Sequence, residues 1–264
     1  MKKSAALFKI AALAFVIVMA SCSKKDSNST NDGGGGGTVI GKHLTKITDI
    51  CNYYNENGVQ YTTDISEYRF RYNGDLVTQW SSYYNGELNA IAYLTYENDL
   101  LIKADFTYTT KKDMTVYFNY TGQYITSADM YSGSEHVVCT FEYANGNMIS
   151  LINPYITYNL NWIDDDVTRL NVVDEGSDIM VYDTKLNPMN KQAAFIVALF
   201  EEEFEFLSKH NVKHKQWISN YGGGQSTDYS YTYDASNTYP ISRTYTKTYS
   251  NSYASGRTEY EYED

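Results

Sequence analysis

Two histidines, His210 and His214, stand four positions apart, a spacing that on a helix would present two metal ligands on one face. No third ligand type stands close to them in the sequence. We therefore interpret the pair as part of a basic helix end, where positive charge is favourable, and we expect neither a metal nor another cofactor.

Acidic residues form a second candidate site. They are Asp164, Asp165, Asp166, Asp174, Glu175 and Asp178. Carboxylate oxygens are the ligands that calcium prefers, but this spacing matches no calcium-binding loop. We predict a solvated acidic hairpin tip.

Motifs for catalysis are missing from the sequence. The run Gly222–Gly224 is not followed by a helix and so predicts a plain loop. No nucleophile motif of the Gly-x-Ser-x-Gly type occurs. We therefore expect that the protein is not an enzyme.

Aromatic side chains are the remaining candidates for ligand binding. Trp80, Trp162, Trp217 and any outward-facing tyrosines could stack on sugar rings, which offer apolar faces. The alternative is that these rings belong to the core, and for most of the tyrosines we favour that alternative.

The N-terminal segment predicts where the protein resides. Lys2, Lys3 and Lys9 precede and flank the apolar run Ile10–Ala20, whose 11 residues are too few to span a bilayer. The run leads into Met19-Ala20-Ser21-Cys22, a small-residue cleavage site directly before a cysteine. We predict a signal peptide over 1–21 and lipidation of Cys22.

The residues around Cys22 resemble a bacterial lipoprotein box, with Met19 where leucine is usual. The following Ser23-Lys24-Lys25-Asp26 looks like the signal that sends Bacteroidetes lipoproteins to the cell surface. The resemblance implies a lipid-anchored protein of the outer membrane, on the cell surface rather than the periplasmic face. An ordinary cleaved signal with an incidental cysteine is the alternative.

Charge and composition limit the classes of partner and the domain organisation that we expect for the rest of the chain. The net charge is −11, and removal of residues 1–21 takes away three lysines and no acids. Such an acidic protein is a poor partner for nucleic acid. Residues 22–42, with Gly33–Gly37, predict a flexible tether, and residues 43–264 predict one domain that holds all 28 tyrosines. Cys51 and Cys139 are expected to be unpaired, buried and in neighbouring strands.

Turn signals divide the domain at intervals of 11 to 16 residues. Asn-Gly, which supplies the positive φ angles of a tight hairpin, occurs at 57–58, 73–74, 85–86 and 145–146. Strands joined to their sequence neighbours by such turns form an up-and-down antiparallel meander. An aromatic repeat overlies the turns, because Tyr72, Tyr96, Tyr120 and Tyr143 are 24, 24 and 23 residues apart, so the repeating unit is one hairpin.

Alternation of side chains predicts which face of the sheet is buried. Tyr68, Phe70 and Tyr72 share one face, and Arg69 and Arg71 share the other. Tyr260 and Tyr262 likewise oppose Glu259 and Glu261. A sheet with one apolar and one polar face meets water on one side.

One segment departs from the strand pattern. Met189–Lys209 follows Pro188 without turn signals and is rich in helix formers, so we predict a helix there. Ala193–Phe200 is apolar at all eight positions, which predicts that the helix is enclosed. The residues expected to be buried are Phe195, Ile196, Leu199 and Phe200.

The turn count predicts about a dozen strands before this helix and about four after it. A twisted meander of 14–16 strands tends to close, since closure removes the exposed sheet edges. We therefore predict an all-β fold, an up-and-down antiparallel barrel or rolled meander, with one helix near 189–209 inside it or across one end.

The tyrosine-rich hairpins and the segments Tyr182–Pro188 and Tyr231–Pro240 resemble a Bacteroidetes family of secreted lipoproteins of unknown function. The resemblance covers about 44–264 and implies a porin-like barrel without a known activity. A true membrane porin is not expected, because lipid-facing strands are apolar and here the polar face carries Arg69, Arg71, Glu259 and Glu261.

Together these observations predict a non-catalytic outer-membrane lipoprotein. It is expected to bind a partner outside the cell, either a glycan or an outer-membrane protein. The alternative is a carrier that binds a small apolar ligand in the barrel lumen.

Overall fold

The computed structural model describes residues 42–188, 204–249 and 252–263. They form one closed antiparallel barrel of sixteen strands, in which each strand pairs with its sequence neighbours and the last strand pairs with the first. The predicted up-and-down barrel is therefore confirmed. Twelve strands precede residue 187 and four follow residue 209, as the turn signals indicate.

The strands are β1 (His43–Tyr54), β2 (Gln60–Asn73), β3 (Leu76–Tyr84), β4 (Glu87–Glu97), β5 (Leu100–Tyr108), β6 (Met114–Thr121), β7 (Tyr124–Ser132), β8 (Glu135–Ala144), β9 (Asn147–Ile152), β10 (Thr157–Ile163), β11 (Asp166–Val172), β12 (Gly176–Leu186), β13 (His210–Ser219), β14 (Gly224–Tyr233), β15 (Pro240–Thr248) and β16 (Tyr253–Glu263). A 3-10 turn, η1 (Phe204–Leu207), lies in the described part of the connection between β12 and β13. No helix among the described residues is long and apolar enough to cross a membrane.

Tight turns explain why consecutive strands pair. At Asn85-Gly86 and Asn145-Gly146 both residues have positive φ, the geometry whose twist matches a two-residue hairpin. Asp164-Asp165 adopts the same conformation, with φ values of 50° and 70°. The acidic pair therefore forms a hairpin turn, which confirms that part of the predicted tip.

Alternation along each strand separates a packed interior from a polar exterior. In β4, Ala90, Ala92 and Leu94 are buried, whereas Tyr93 and Thr95 between and after them are exposed. Most of the buried apolar side chains form one connected cluster with members from β1–β13, β16 and η1, and Cys51, Tyr245 and Ala254 form a second, smaller one. Trp80 and Phe106 in this cluster are each 1% exposed. Side chains therefore fill the inside of the barrel.

The turn η1 packs into this interior. Phe204 is 5.0 Å from Tyr158 of β10, measured between ring centroids, and the ring of Phe206 lies 5.5 Å below the guanidinium of Arg243 on β15. The side chain of Ser208 accepts a hydrogen bond from the backbone of Val167 at 2.9 Å. The connection from β12 to β13 thus closes part of the barrel from within.

The predicted helix near 189–209 is tested only at its end. Residues 189–203, which include Phe195, Ile196, Leu199 and Phe200, lie outside the described residues. The remainder forms η1 and a bend, and β13 already begins at His210. The prediction of a basic helix end at His210 is therefore wrong, because this residue pairs with Leu186 in the sheet.

The aromatic repeat lies at one end of the barrel, which we call the entry end because β1 begins there and the even-numbered strands finish there. Seven inward-pointing aromatic side chains at this end donate to backbone carbonyls of the preceding strand at 2.6–2.9 Å, whereas the hydroxyl of Tyr143 has no hydrogen-bond partner among the described residues. The pairs are Tyr72 with Leu44, Tyr96 with Val77, Tyr120 with Leu101, Trp162 with Met148, Tyr182 with Val167, Tyr231 with Val212 and Tyr262 with Pro240.

Both cysteines are buried free thiols, as predicted. Burial raises the pKa of the Cys139 thiol to about 12. They do not lie in neighbouring strands, however, because Cys51 is in β1 and Cys139 is in β8. A spacing of 88 residues cannot reveal strand adjacency in a meander that pairs only sequential strands.

Candidate binding surface

The three tryptophans predicted as ligand-binding candidates are separated and face the interior. Trp80 is in the core, with its ring stacked 6.2 Å from Tyr68. Trp162 packs against the core and its indole donates to the Met148 carbonyl, and Trp217 of β13 packs against the core as well. This is the placement of core aromatics, the alternative considered above. A ligand-binding role for the tryptophans stays a prediction, and the lipidation candidate Cys22 lies outside the described residues.

The structure does not bring His210 and His214 together in one site. The Nδ1 atom of His210 is 2.9 Å from Asp166, and the Nδ1 atom of His214 is 2.7 Å from Asp228. Each ring thus pairs with a different carboxylate. Within the described residues, no group of three or more histidine, cysteine, aspartate or glutamate side chains could hold a metal ion.

Two residues of the acidic candidate are buried rather than solvated, so the prediction is wrong for them. The Asp166 carboxylate accepts from the His210 backbone at 3.0 Å. Asp178 lies inside the barrel, 3.5 Å from the ammonium of Lys215, which also contacts Glu205 at 3.0 Å. Burial raises the pKa of Asp178, and Lys215 only partly opposes that effect. These acids support the fold and the position of η1.

A polar wall on the inside of β14–β16 and β1 contains a buried arginine. Nε of Arg243 donates to Thr258 at 3.0 Å, and the Thr258 hydroxyl donates to Asp49 at 2.6 Å. The hydroxyl of Tyr245 donates to the same carboxylate at 2.7 Å. Arg243 also lies 4.7 Å above the ring of Tyr229. The arginine is thus held by the hydrogen bond to Thr258 and by aromatic faces, which help a buried charge to be tolerated, while its Nη1 has no hydrogen-bond partner among the described residues.

The outer face of β4–β7 carries three exposed tyrosines, Tyr93, Tyr117 and Tyr131, which we call the tyrosine platform. Their side chains are 52%, 46% and 43% exposed. The rings of Tyr117 and Tyr131 meet edge to face at 6.0 Å, and Tyr131 stacks on His136 of β8 at 4.4 Å. Large apolar surfaces are therefore open to solvent on a rigid sheet, where they are available for binding.

Strand register places carboxylates between these rings. Tyr93 pairs with Asp105 across β4 and β5, and Tyr117 pairs with Asp129 across β6 and β7. Because directly paired residues share a face, each ring has a carboxylate as its neighbour on the outer surface. The platform thus alternates apolar faces with hydrogen-bond acceptors.

Hydrogen bonds fix both carboxylates. Asp105 accepts from the Thr115 hydroxyl at 2.9 Å and contacts the Lys103 ammonium at 2.8 Å. Asp129 accepts from the Asn119 amide at 2.7 Å and lies 2.9 Å from Nε2 of His136. The acceptors are therefore held in place before any ligand arrives, which reduces the entropy that binding costs.

Elsewhere the outer face differs from the platform. The exposed outer residues of β14 and the middle of β15 are small or charged. They are Asp228, Ser230, Thr232, Thr244 and Thr246. The outer faces of β14 and β15 thus differ from the platform, whereas further exposed tyrosines, Tyr61, Tyr84 and Tyr253, lie at the strand ends opposite the entry end.

The sequence contains a signal that separates these outer tyrosines from the core tyrosines. Tyr93 and Tyr117 each stand three positions before an inward member of the aromatic repeat, Tyr96 and Tyr120. An odd separation in a strand places two side chains on opposite faces. The sequence therefore could predict that Tyr93 and Tyr117 face outward. It could not predict the strand pairing that places them near Tyr131.

The barrel has a counterpart among solved structures, a porin-like protein from Bacteroides uniformis ATCC 8492. The alignment has a TM-score of 0.57 and covers 83% of this chain and 96% of the other, at 12% sequence identity. The fold is porin-like. At this identity the similarity concerns the fold and carries no site residue across. No family model matches the chain, and no curated protein matches it.

Proposed function

We propose that this protein is a lipid-anchored, non-catalytic protein of the outer membrane that binds a glycan outside the cell through the outer wall of its barrel. One observation carries the proposal. The interior is occupied by side chains such as Trp80 and Phe106, whereas exposed aromatic rings lie together on the outside. A filled interior supports binding on the outer surface over transport of a small apolar ligand in the lumen.

Charge on the outer wall supports a barrel that stands in water. Lys46 of β1 forms ion pairs with Glu67 of β2 at 3.2 Å and with Glu261 of β16 at 3.0 Å, across the closing seam of the barrel. A lysine or arginine facing lipid near the bilayer midplane would destabilise a membrane barrel by about 2–4 kcal/mol, and aspartate or glutamate by less. We infer that the membrane is reached through Cys22, and a porin-like neighbour is compatible with such an outer-membrane association.

Chain direction supports access to the tyrosine platform. β1 begins at the entry end, so residues 22–42 join the barrel there. A glycine-rich segment of about 20 residues has a root-mean-square reach of about 25 Å. We propose that the entry end faces the membrane and that the side wall remains open to extracellular polymers.

Fractionation of cells that express the Cys22→Ser variant tests the anchor. We expect the variant to leave the membrane fraction, while the unaltered protein stays there and is cleaved by protease added to intact cells. Retention of Cys22→Ser in the membrane would contradict the anchor, and resistance of the unaltered protein to external protease would contradict surface exposure.

Binding and the absence of catalysis are tested with the soluble domain, residues 43–264. We expect it to be retarded in native gels that contain a polysaccharide, without shortening of that polysaccharide after prolonged incubation. Release of smaller sugars would contradict a non-catalytic role.

A further inference from the structure

We propose that the tyrosine platform binds an uncharged glycan chain across the strands β4–β7. This inference rests on the proposed function, because it names the site and the ligand class of a binding protein. It follows from three properties of the outer wall, which are the arrangement of the rings, the nature of the groups between them and the sign of the charge.

The rings form a surface longer than a single sugar. Tyr93 and Tyr131 occupy one row across the barrel, since Tyr93 pairs with Asp105, Asp105 with Thr115, and Thr115 with Tyr131. Three strand intervals separate them, which is about 14 Å at the usual spacing of about 4.8 Å between strands. Tyr117 lies in the next row, two residues along β6. A flat site of this length suits several consecutive sugar rings rather than a monosaccharide.

The groups between the rings suit hydroxyls. Carboxylates accept hydrogen bonds and amide groups both donate and accept them, whereas each sugar hydroxyl can do both. Asp105, Asp129 and Asn119 provide such groups beside the tyrosines and are already oriented by their own hydrogen bonds. Rings bind the apolar faces of a sugar, and the polar groups between them bind its edges.

Charge selects against acidic glycans. Asp105 and Asp129 lie within the platform, and the whole chain carries a net charge of −11. Lys103 is paired with Asp105 at 2.8 Å, so its charge is balanced locally. Lys103 also lies 5.8 Å from the ring centroid of Tyr117, and His136 is 2.9 Å from Asp129, so both basic side chains beside the platform already contact a carboxylate. A sulfated or uronic-acid polymer would bring its negative charges close to these carboxylates. The platform therefore favours an uncharged polymer.

Affinity gel electrophoresis of residues 43–264 tests this inference with two sets of probes. The neutral set is dextran, mannan, xylan and soluble starch, and the charged set is dextran sulfate and polygalacturonate. Dextran and its sulfate have the same backbone, so this pair isolates the effect of charge. We expect retardation by at least one neutral polymer and none by the charged set.

Variants identify the site. Tyr117→Ala and Tyr131→Ala should each weaken the neutral interaction about tenfold, because each removes an apolar face that the sugar covers. Tyr221→Ala is the control, since Tyr221 is 82% exposed in the turn after β13 and is not part of the platform. It should bind as the unaltered domain does, and thermal melts should show all three variants folded.

Each result that differs from these expectations would contradict a particular part of the proposal. Equal binding by the platform variants and the unaltered domain would place the site elsewhere, and the inference would fail while the proposed binding function stands. Retardation by the charged polymers alone would refute the uncharged ligand. A domain that no polysaccharide retards would refute both this inference and glycan binding as the function, whereas the test of Cys22→Ser would still report on the anchor.

Discussion

The hydroxyl of Tyr96 donates a 2.9 Å hydrogen bond to the backbone carbonyl of Val77, which is the residue paired with Tyr72 in the preceding hairpin. The same relationship recurs one hairpin later, where Tyr120 donates to Leu101, the partner of Tyr96. Tyr96 and Tyr120 thus each connect their own hairpin to the one before it, whereas Tyr143 of the same repeat makes no such hydrogen bond. The repeat of about 24 residues therefore places hydrogen-bonding tyrosines at regular intervals along the order of the strands.

The relationship also closes the barrel. Tyr72 donates to the carbonyl of Leu44 in β1, and Leu44 pairs with Tyr262 of the last strand. Tyr72 of β2 therefore contacts the seam at which the first strand, β1, pairs with the last strand, β16. Closure removes the two sheet edges, which would otherwise expose unpaired backbone groups.

The first prediction concerns this hydrogen-bonded series. Tyr96→Phe removes a buried hydroxyl bond and should lower the free energy of unfolding by about 1 kcal/mol, with little change in packing. Tyr143→Phe is the matched control, because the hydroxyl of Tyr143 has no hydrogen-bond partner among the described residues. Denaturant melts should show little or no loss for the control. Equal losses in the two variants would show that the hydrogen bonds do not stabilise the barrel.

The second prediction concerns alkaline pH. Burial raises the pKa of Tyr72, Tyr96 and Tyr120 above the ordinary value near 10. The unfolded chain loses these protons first, so the contribution of these tyrosines to the free energy of unfolding should be constant below about pH 9 and fall above about pH 10. Melts over that range, with absorbance of tyrosinate in the folded protein, measure both effects. Ionisation of all 28 tyrosines near pH 10 without unfolding would contradict the prediction.

Particular residues show how far the sequence could predict the fold. Counting Asn-Gly and related turns was sufficient because each strand pairs only with its neighbours, so local signals determine the topology. Face assignment succeeded at Phe70, which is buried, and at Arg69 and Arg71, which are exposed. Both results depend on short-range geometry.

The failures involve contacts between residues far apart in the chain. The sequence predicts that Asp166 and Asp178 are solvated. In the structure both are buried, and His210 and Lys215 of β13 contact them. The outward tyrosines could be anticipated from their odd spacing, but their grouping depends on the register of four strands. Register across several hairpins is not encoded in any single segment.

The third prediction tests the internal position of η1. Phe204 is 2% exposed and packs against Tyr158 inside the barrel. Phe204→Ala should therefore cost about 3–5 kcal/mol, as for a well-packed core aromatic. Tyr221→Ala, at an exposed turn, should change stability by about 0.5 kcal/mol or less. If the two variants unfold at the same denaturant concentration, η1 does not contribute to the core.

The fourth prediction concerns the acids around Lys215. Burial raises the pKa of Asp178 above its unfolded value, so this residue binds a proton more readily in the folded protein. Its contribution to stability is fully present below about pH 4 and is lost as pH rises through the folded pKa. Asp178→Asn should therefore stabilise the protein at pH 7, by about 1 kcal/mol, because Oδ1 of Asp178 has no hydrogen-bond partner among the described residues.

Glu205→Gln provides the contrast, since Glu205 is 2% exposed and its carboxylate is 3.0 Å from the Lys215 ammonium. Removing one member of a buried ion pair leaves the other charge poorly compensated and should cost about 3–5 kcal/mol. Melts between pH 4 and pH 7 distinguish the two acids, because Asp178→Asn should also flatten the fall of stability with rising pH. Destabilisation of both variants to the same extent at pH 7 would show that Lys215 depends on both carboxylates equally, and that the raised pKa of Asp178 does not weaken the folded barrel.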